Sequence, residues 1–181
     1  VGKPQSVTWG KCKLATASFG HGINTNLLQL TKAYAIISNG GNYIKPTLIK
    51  KKFDLNQKKI ISDETSQKIN SILRKIVLEG TAKLANVEGY EIGGKTGTAN
   101  KTIKGIYTNK KINTFASVFP TSNPKYVFTI LFDEPQINKD YIYEYRDGSE
   151  FKLKGAPRNT AGWTSVEVAG KIIDKIGPIL A

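Results

Sequence analysis

The 181-residue chain contains no methionine, one cysteine and one histidine, and each scarcity closes off a class of explanation. Cys12 alone cannot form an internal disulfide. Cys12 and His21 together cannot supply the four ligands of a structural zinc site, so no metal and no cofactor is expected. Low cysteine content suits an oxidising or a reducing compartment equally. No apolar run approaches the ~18 residues that a bilayer-crossing helix requires. The lack of methionine, with Val1 at the start, leads us to expect that translation begins upstream and that the chain is a fragment, so the absence of a signal or anchor segment carries no information about location. Hydrophobic residues make up 39% of the sequence, enough for one compact domain with a core.

Acidic residues are also scarce: 14 against 27 lysines and arginines, for a net charge of +13. Such a balance favours polyanionic partners, and a non-catalytic polyanion-binding module is one reading of the chain. The distribution argues against a dedicated nucleic-acid site. Lysines are scattered (50–52, 58–59, 101, 104, 110–111, 152), whereas arginine, the better bidentate reader of phosphate and bases, occurs only at Arg74, Arg146 and Arg158. No specific nucleic-acid partner is expected.

Asn24 to Asn26 are good N-cap residues, and the apolar run Leu27 to Ile37 predicts a helix that Asn39-Gly40-Gly41 stops. Apolar around most of its circumference, it is expected to be buried. Tyr43 to Ile49 reads as a short strand crossing Pro46, followed by a polar, turn-rich stretch through Lys59. Ser62 caps a second helix with an apolar stripe at Ile69, Ile72, Leu73, Ile76 and Val77, ended by Gly80. Strands follow at Tyr90 to Thr98, Asn113 to Phe119 and Tyr126 to Phe132, the last two joined by the turn Pro120 to Pro124. Asp147-Gly148 is a two-residue hairpin signal between Tyr141 to Tyr145 and Phe151 to Leu153. Residues 138–155 thus read as an inserted β-ribbon. Thr164 to Ile176 closes the chain as a helix with Val166, Ala169, Ile172, Ile173 and Ile176 on one stripe. These elements imply an α+β fold, an antiparallel β-sheet covered by helices.

Lys95 belongs to two motifs at once. Gly89 to Thr96 fits the phosphate-binding loop pattern G-x-x-x-x-G-K-[ST], and Val127 to Glu134 imitates the apolar strand whose terminal acid holds a nucleotide magnesium. A nucleotide hydrolase is therefore an alternative. That loop must open a helix, however, and Gly97-Thr98-Ala99-Asn100-Lys101-Thr102 has two β-branched threonines, a glycine and no apolar stripe. The short turns downstream also demand antiparallel pairing rather than the parallel sheet of such enzymes. The other motif is Lys95-Thr96-Gly97, the third signature of serine acyl-transferases of the β-lactamase and penicillin-binding class. Lys95 would provide positive charge for a substrate carboxylate and for tuning proton transfer. Thr96 and Thr98 would supply hydroxyls to that carboxylate, and Gly97 would keep the cleft face open. The residue after the triad can offer its backbone N–H to a tetrahedral oxyanion.

The surrounding sequence resembles the transpeptidase domain of class B penicillin-binding proteins, particularly the division-type enzymes. Ser18-Phe19-Gly20-His21-Gly22, Leu28-Gln29-Leu30 with Ala33-Tyr34-Ala35, Asn39-Gly40-Gly41, Val77 with Gly80-Thr81-Ala82, and Gly94-Lys95-Thr96-Gly97-Thr98-Ala99 occur in the family's order. Phe115-Ala116-Ser117, Pro124 to Val127, Asp133-Glu134-Pro135 and Thr160-Ala161-Gly162-Trp163 continue the series. Asn26-Leu27 stands where the family usually has Thr-Pro, and the Asp147-Gly148 ribbon departs from its pattern.

The resemblance implies a partial penicillin-binding, β-lactamase-like fold in which residues 1–181 are the C-terminal portion of a transpeptidase domain. It implies a peptidoglycan D,D-transpeptidase of cell division at the periplasmic face of the inner membrane, anchored by an N-terminal helix. Peptidoglycan stem peptides, β-lactam antibiotics and other division or cell-wall synthesis proteins are the implied partners. The family's nucleophile lies in Ser-x-x-Lys and its second motif is Ser-x-Asn, both upstream of the triad. This chain has no Ser-x-Asn, and its Ser-x-x-Lys matches, Ser122 to Lys125 and Ser149 to Lys152, lie downstream in turns rather than at a helix start. The chain alone is therefore expected to be inactive, and to self-associate through surface that its missing half would bury. His21, between glycines, is expected to line a turn or a cleft wall rather than act as a base. The lysine-rich stretch Asn100 to Lys111 is expected to be a loop bordering the cleft and attracting anionic wall polymers.

Overall fold

A computed structural model describes residues 5–6, 12–18, 20, 23–49, 58–104 and 106–180. His21, Phe19 and Gly22 lie outside the described residues, as do lysines 50–52. The two-residue strands β1 (Gln5–Ser6) and β2 (Ile23–Asn24) pair antiparallel, flanking the short helix α1 (Lys13–Ala17). Helix α2 (Leu27–Ser38) starts where the sequence places it. Asn26 Oδ1 accepts from the Gln29 amide at 2.8 Å, and Gln29 Oε1 accepts from the Asn26 amide at 3.0 Å. This reciprocal pair satisfies two donors that the first turn would otherwise leave open.

The main sheet is a three-stranded antiparallel meander of β3 (Gly93–Ile103), β4 (Ile106–Phe119) and β5 (Tyr126–Asp133), in the order β3-β4-β5. On one side lies α4 (Ser165–Leu180), whose Val166, Ala169 and Ile173 are fully buried with Phe115 of β4. On the other lie α2 and α3 (Asp63–Leu78). The expected α+β sandwich of helices on an antiparallel sheet is thus the observed architecture.

Several local expectations are corrected. Helix α2 is not enclosed: Leu27 and Leu28 are 38% and 44% exposed, because the helix packs through one face on β4, β5 and α3. Its link to the sheet includes a hydroxyl pair, Thr31 Oγ1 to Thr129 Oγ1 at 2.6 Å. No strand forms over 43–49. Among the described residues only the isolated bridge Asn42 to Lys59 lies beside it, Leu48 and Ile49 are exposed, and Pro46 removes a ladder donor.

Helix α3 is capped by Ser62, whose hydroxyl accepts from the Thr65 amide, but its buried face carries Ser66, Asn70, Leu73 and Val77, and Ile72 points outward. Polar contacts rotate the face: Ser66 Oγ donates to the Ile37 carbonyl and accepts from the Gly40 amide, while Asn70 Nδ2 donates to the Ser38 carbonyl. On α4, similarly, Gly170 and Gly177 are buried where Ile172 and Ile176 were expected.

The ribbon forms as β6 (Ile142–Glu144) and β7 (Lys152–Lys154), but not as a two-residue hairpin. Glu144 pairs with Lys152, so residues 145–151 all lie in the connection. Asp147 Oδ1 accepts from the Ser149 amide and Gly148 adopts φ +83°, while Arg146 turns inward. Its guanidinium bonds the Leu84 carbonyl and both carboxylate oxygens of Glu167, which is 3% exposed. Tyr141 also donates to Glu167, and buried Tyr143 meets the Trp163 ring edge-on at 5.2 Å. The ribbon is therefore woven into the core on the α4 side.

Candidate active site

Local sequence places Lys95 and Thr96 as the third and fourth residues of β3, paired with Ala116 and Phe115, with Gly97 and Thr98 opposite Thr114 and Asn113. This excludes the phosphate-binding loop, whose lysine and threonine must open a helix so that backbone amides converge on phosphate. Asp133 and Glu134, the imitators of a magnesium-binding acid, instead accept from Lys101 at 2.9 Å each, and Lys110 also pairs with Glu134.

Two of the glycines around the motif are dictated by close approach. A Cβ on Gly94 would come within 2.5 Å of the Phe115 ring, and one on Gly97 within 2.4 Å of Thr114 Oγ1. Larger residues at either position would push β3 away from β4.

β3 is an edge strand: among the described residues nothing pairs with it on the side away from β4. Lys95 is exposed, and its ammonium donates to the Thr96 carbonyl at 2.9 Å and lies 3.4 Å from Thr96 Oγ1. A carbonyl engaged at the rim by a side chain points out of the ladder, and in an antiparallel pair the same residue's N–H points the same way. Period two then turns the backbone of Gly94 and Thr98 outward as well.

The two threonine hydroxyls lie on the α4 side of the sheet and are held from behind. Thr96 Oγ1 pairs with Thr81 Oγ1 at 3.0 Å, and Thr98 Oγ1 accepts from the Ala161 amide at 3.0 Å. A hydroxyl that accepts a backbone N–H keeps its own proton for another acceptor. Thr98 is thus prepared as a donor at the strand edge, next to the Lys95 ammonium. Behind this edge opens a cavity of about 560 Å³ walled by Tyr145 and Trp163, with Lys83 and Arg158 as its charged groups.

Thr81 and Ala161 sit in segments that the family pattern singled out, Gly80-Thr81-Ala82 and Thr160-Ala161-Gly162-Trp163, yet nothing in either segment announced that they would orient the triad's hydroxyls. Lys83 and Arg158 carried no signal beyond the general excess of cations.

The stretch Asn100 to Lys111 is not a loop. The β3–β4 ladder continues to the pair Ile103–Ile106, with one irregularity between Asn100 and Thr102. Three of its lysines are engaged, Lys101 and Lys110 with the acids at the end of β5 and Lys111 with Asn159 Oδ1 at 2.8 Å, while Lys104 is exposed. Hydrogen bonds from Lys101 and Lys110 hold the Glu134 carboxyl below its ordinary range, and Glu134 and Asp133 in turn raise the Lys101 ammonium.

Neither Ser-x-x-Lys match forms a nucleophile. Ser122 donates to the Glu91 carboxylate in the turn before β5, and Ser149 lies in the exposed ribbon connection. No group of three or more histidine, cysteine, aspartate or glutamate side chains suited to a metal occurs among the described residues, and no described helix is long and apolar enough to cross a membrane.

Residues 1–150 match the family described as the penicillin binding protein transpeptidase domain. Among curated proteins, the chain is 33% identical to a probable peptidoglycan D,D-transpeptidase, PenA, of Neisseria flavescens, over 74% of this chain and 34% of that protein. It is 31% identical to a probable peptidoglycan D,D-transpeptidase, FtsI, of Caulobacter vibrioides, over 95% of this chain and 29% of that protein. Among solved structures, the apo transpeptidase domain of penicillin-binding protein 3 from Burkholderia pseudomallei superposes with a TM-score of 0.73 at 27% identity, covering 94% of this chain and 47% of that one. Penicillin-binding protein 3 of Mycobacterium tuberculosis complexed with ampicillin gives 0.70 at 27% identity, covering 93% and 39%. The chain thus spans about a third or less of these curated relatives' length.

Proposed function

The chain belongs to the penicillin-binding protein transpeptidase family, and from that membership we propose that the protein carrying it is a serine-type peptidoglycan D,D-transpeptidase of cell division. In this reading residues 1–181 are the C-terminal portion of the transpeptidase domain, residues 138–155 are an insertion, and the nucleophilic serine and the Ser-x-Asn motif belong to a part of the protein outside the chain. The chain alone is then inactive. The single observation that carries the proposal is the outward edge of β3, where the Lys95 ammonium, the outward backbone of Thr98 and the pre-oriented Thr98 hydroxyl converge.

The chemistry follows from that edge. The serine oxygen attacks the carbonyl carbon of the penultimate D-Ala of a stem peptide, and the electron pair of the C=O bond moves to oxygen. The Thr98 N–H, the residue after the triad, stabilises that oxyanion. The oxyanion's electron pair then re-forms the C=O bond as the C–N bond to the terminal D-Ala breaks, and the leaving amine takes the proton that the serine hydroxyl gave up on attack. An amine of a neighbouring stem attacks the resulting ester, and the serine oxygen departs with a proton. Until the terminal D-Ala departs, Lys95, Thr96 and Thr98 hold its carboxylate; Gly97 leaves the strand approachable, and Lys95 tunes proton transfer in both half-reactions.

A β-lactam, whose strained amide and carboxylate mimic the donor, acylates the same serine and stays. In this reading the protein sits at the periplasmic face of the inner membrane, held by an N-terminal anchor outside the chain, and associates with other division or cell-wall proteins. The test is labelling of the full-length protein by a fluorescent penicillin. We expect covalent labelling whose rate falls at least about a hundredfold in Lys95→Ala. Labelling that ignores this substitution, or no labelling of the wild type, overturns the assignment.

A further inference from the structure

Asn113 stands directly behind the proposed edge. It is the β4 partner of Thr98 and is fully buried, sharing the α4 side of the sheet with Phe115 two residues on. Its Nδ2 donates twice, to the Asn159 carbonyl at 2.9 Å and to Thr164 Oγ1 at 2.8 Å. One side-chain amide thus grips both ends of residues 159–164, a segment whose regular structure is a single 3-10 turn, Ala161–Trp163. Between those ends lies the Ala161 amide, which donates to Thr98 Oγ1. Thr164 Oγ1 itself donates to the Thr160 carbonyl, so the grip extends into the turn.

The grip has a cost. Asn113 Oδ1 is buried with no hydrogen-bond partner among the described residues. Turning the amide over would not relieve it, because the oxygen would then face the Asn159 carbonyl, which has no proton to give. An apolar side chain would avoid the open acceptor but release the segment. We propose that Asn113 is a positioning residue for acyl transfer, a buried clamp that holds residues 159–164 against β4 so that the Ala161 N–H fixes the Thr98 hydroxyl. Thr98 is exposed, and without that donor its hydroxyl is free to turn about the Cα–Cβ bond. The inference rests on the transpeptidase reading and deepens it by naming what aims one donor of the edge. Losing the clamp removes that aim and leaves Lys95 and Thr96 in place, since Thr96 is held by Thr81 instead.

The test is a double-mutant cycle in the full-length protein, read as the rate of acylation by a fluorescent penicillin. Asn113→Ala should slow labelling about tenfold in the wild-type background. In a Thr98→Val background, which keeps the shape and removes the hydroxyl, the same substitution should change the rate by less than about twofold. No slowing in the first background, or equal slowing in both, overturns the clamp, because a residue that merely supports the fold acts whether or not the hydroxyl is present. Hydrogen exchange gives a second readout, and decides alone should Thr98→Val label too slowly to measure. Amides of 159–164 should exchange about tenfold faster in Asn113→Ala, while those of 166–176 on α4 keep the wild-type rate. Unchanged exchange at 159–164, or equal acceleration in both segments, overturns the clamp. Should Asn113→Ala fail to fold, Thr164→Val, which removes one of the two acceptors and keeps the side-chain shape, takes its place under the same criteria with an expected slowing of about threefold. Failure of the wild type to take up penicillin at all sinks the transpeptidase reading and the clamp with it, whereas uptake with equal slowing in both backgrounds sinks the clamp alone.

Discussion

The two sides of the sheet are built differently. On the α4 side, Phe115, Val166, Ala169 and Ile173 are fully buried, Tyr143 and Trp163 interlock, and a buried Arg146–Glu167 pair stitches the ribbon to the helix. On the α2 side, the helix meets β5 in part through a threonine pair, α3 meets α2 through Ser66 and Asn70, and Leu27, Leu28 and Leu131 remain around 40% exposed. One side is a finished core, the other a half-built one. The proposed active-site edge runs along the boundary between them, with Thr96 and Thr98 anchored on the finished side and Lys95 exposed. Rigid support for hydroxyls and open room for a partner are thereby supplied by different layers of the same strand.

The strongest way to break this comparison is to remove the charge at the centre of the α4 side. Arg146→Ala leaves Glu167 buried with only Tyr141 and Lys171 beside it. We expect a loss of about 3–5 kcal/mol in urea denaturation, since breaking the buried pair leaves Glu167 with the half-exposed Lys171, 3.5 Å away, as its remaining counter-charge. A loss under about 1 kcal/mol would mean that the ribbon is an ornament rather than part of the core.

Next in size is a pair of truncations made in the 181-residue chain. Ile173→Ala should cost about 2–5 kcal/mol, through lost burial and the cavity left behind, whereas Leu28→Ala on the open side should stay within about 0.5 kcal/mol. Equal costs would erase the contrast between the two sides. Repeating Leu28→Ala in the full-length protein sharpens it, because a larger cost there locates cover for the α2 face in the rest of the molecule.

The smallest effect concerns the lysine hairpin. Glu134 has a carboxyl lowered from about 4.5, so its contribution is present above that pH and is lost as pH falls through the lower folded value. Lys101 is raised from about 10.5, so its contribution is complete below that pH and is lost as pH rises through the higher folded value. The stability difference between wild type and Glu134→Gln should therefore be flat from about pH 5 to about pH 10 and shrink in more acid solution. A difference that grows on acidification would show that Glu134 is not held by these lysines.

Much of this was legible before the fold was known, and the failures share a cause. Asn26 with Gln29, and Ser62 with Thr65, mark helix starts because a cap acts within one turn. The strand character of Gly93 to Thr98 was readable because β-branched threonines and glycines leave no apolar stripe for a helix. By contrast, α3 was rotated because Ser66 and Asn70 find polar partners on α2, about thirty residues away. The stretch at 43–49 looked like a strand but found no partner among the described residues, and Asn100 to Lys111 looked like a loop but found one in itself.

The residue types and local order of Lys95-Thr96-Gly97-Thr98 were set by the sequence alone, and with them the choice of a strand over the helix start that a phosphate loop needs. Tertiary structure decided that Thr81 backs Thr96 across 15 residues, that the Ala161 amide orients Thr98 across 63, and that Lys83 and Arg158 share one cavity. Propensity and alternation act over a few residues, whereas such pairings arise only when the sheet and its helices close on one another.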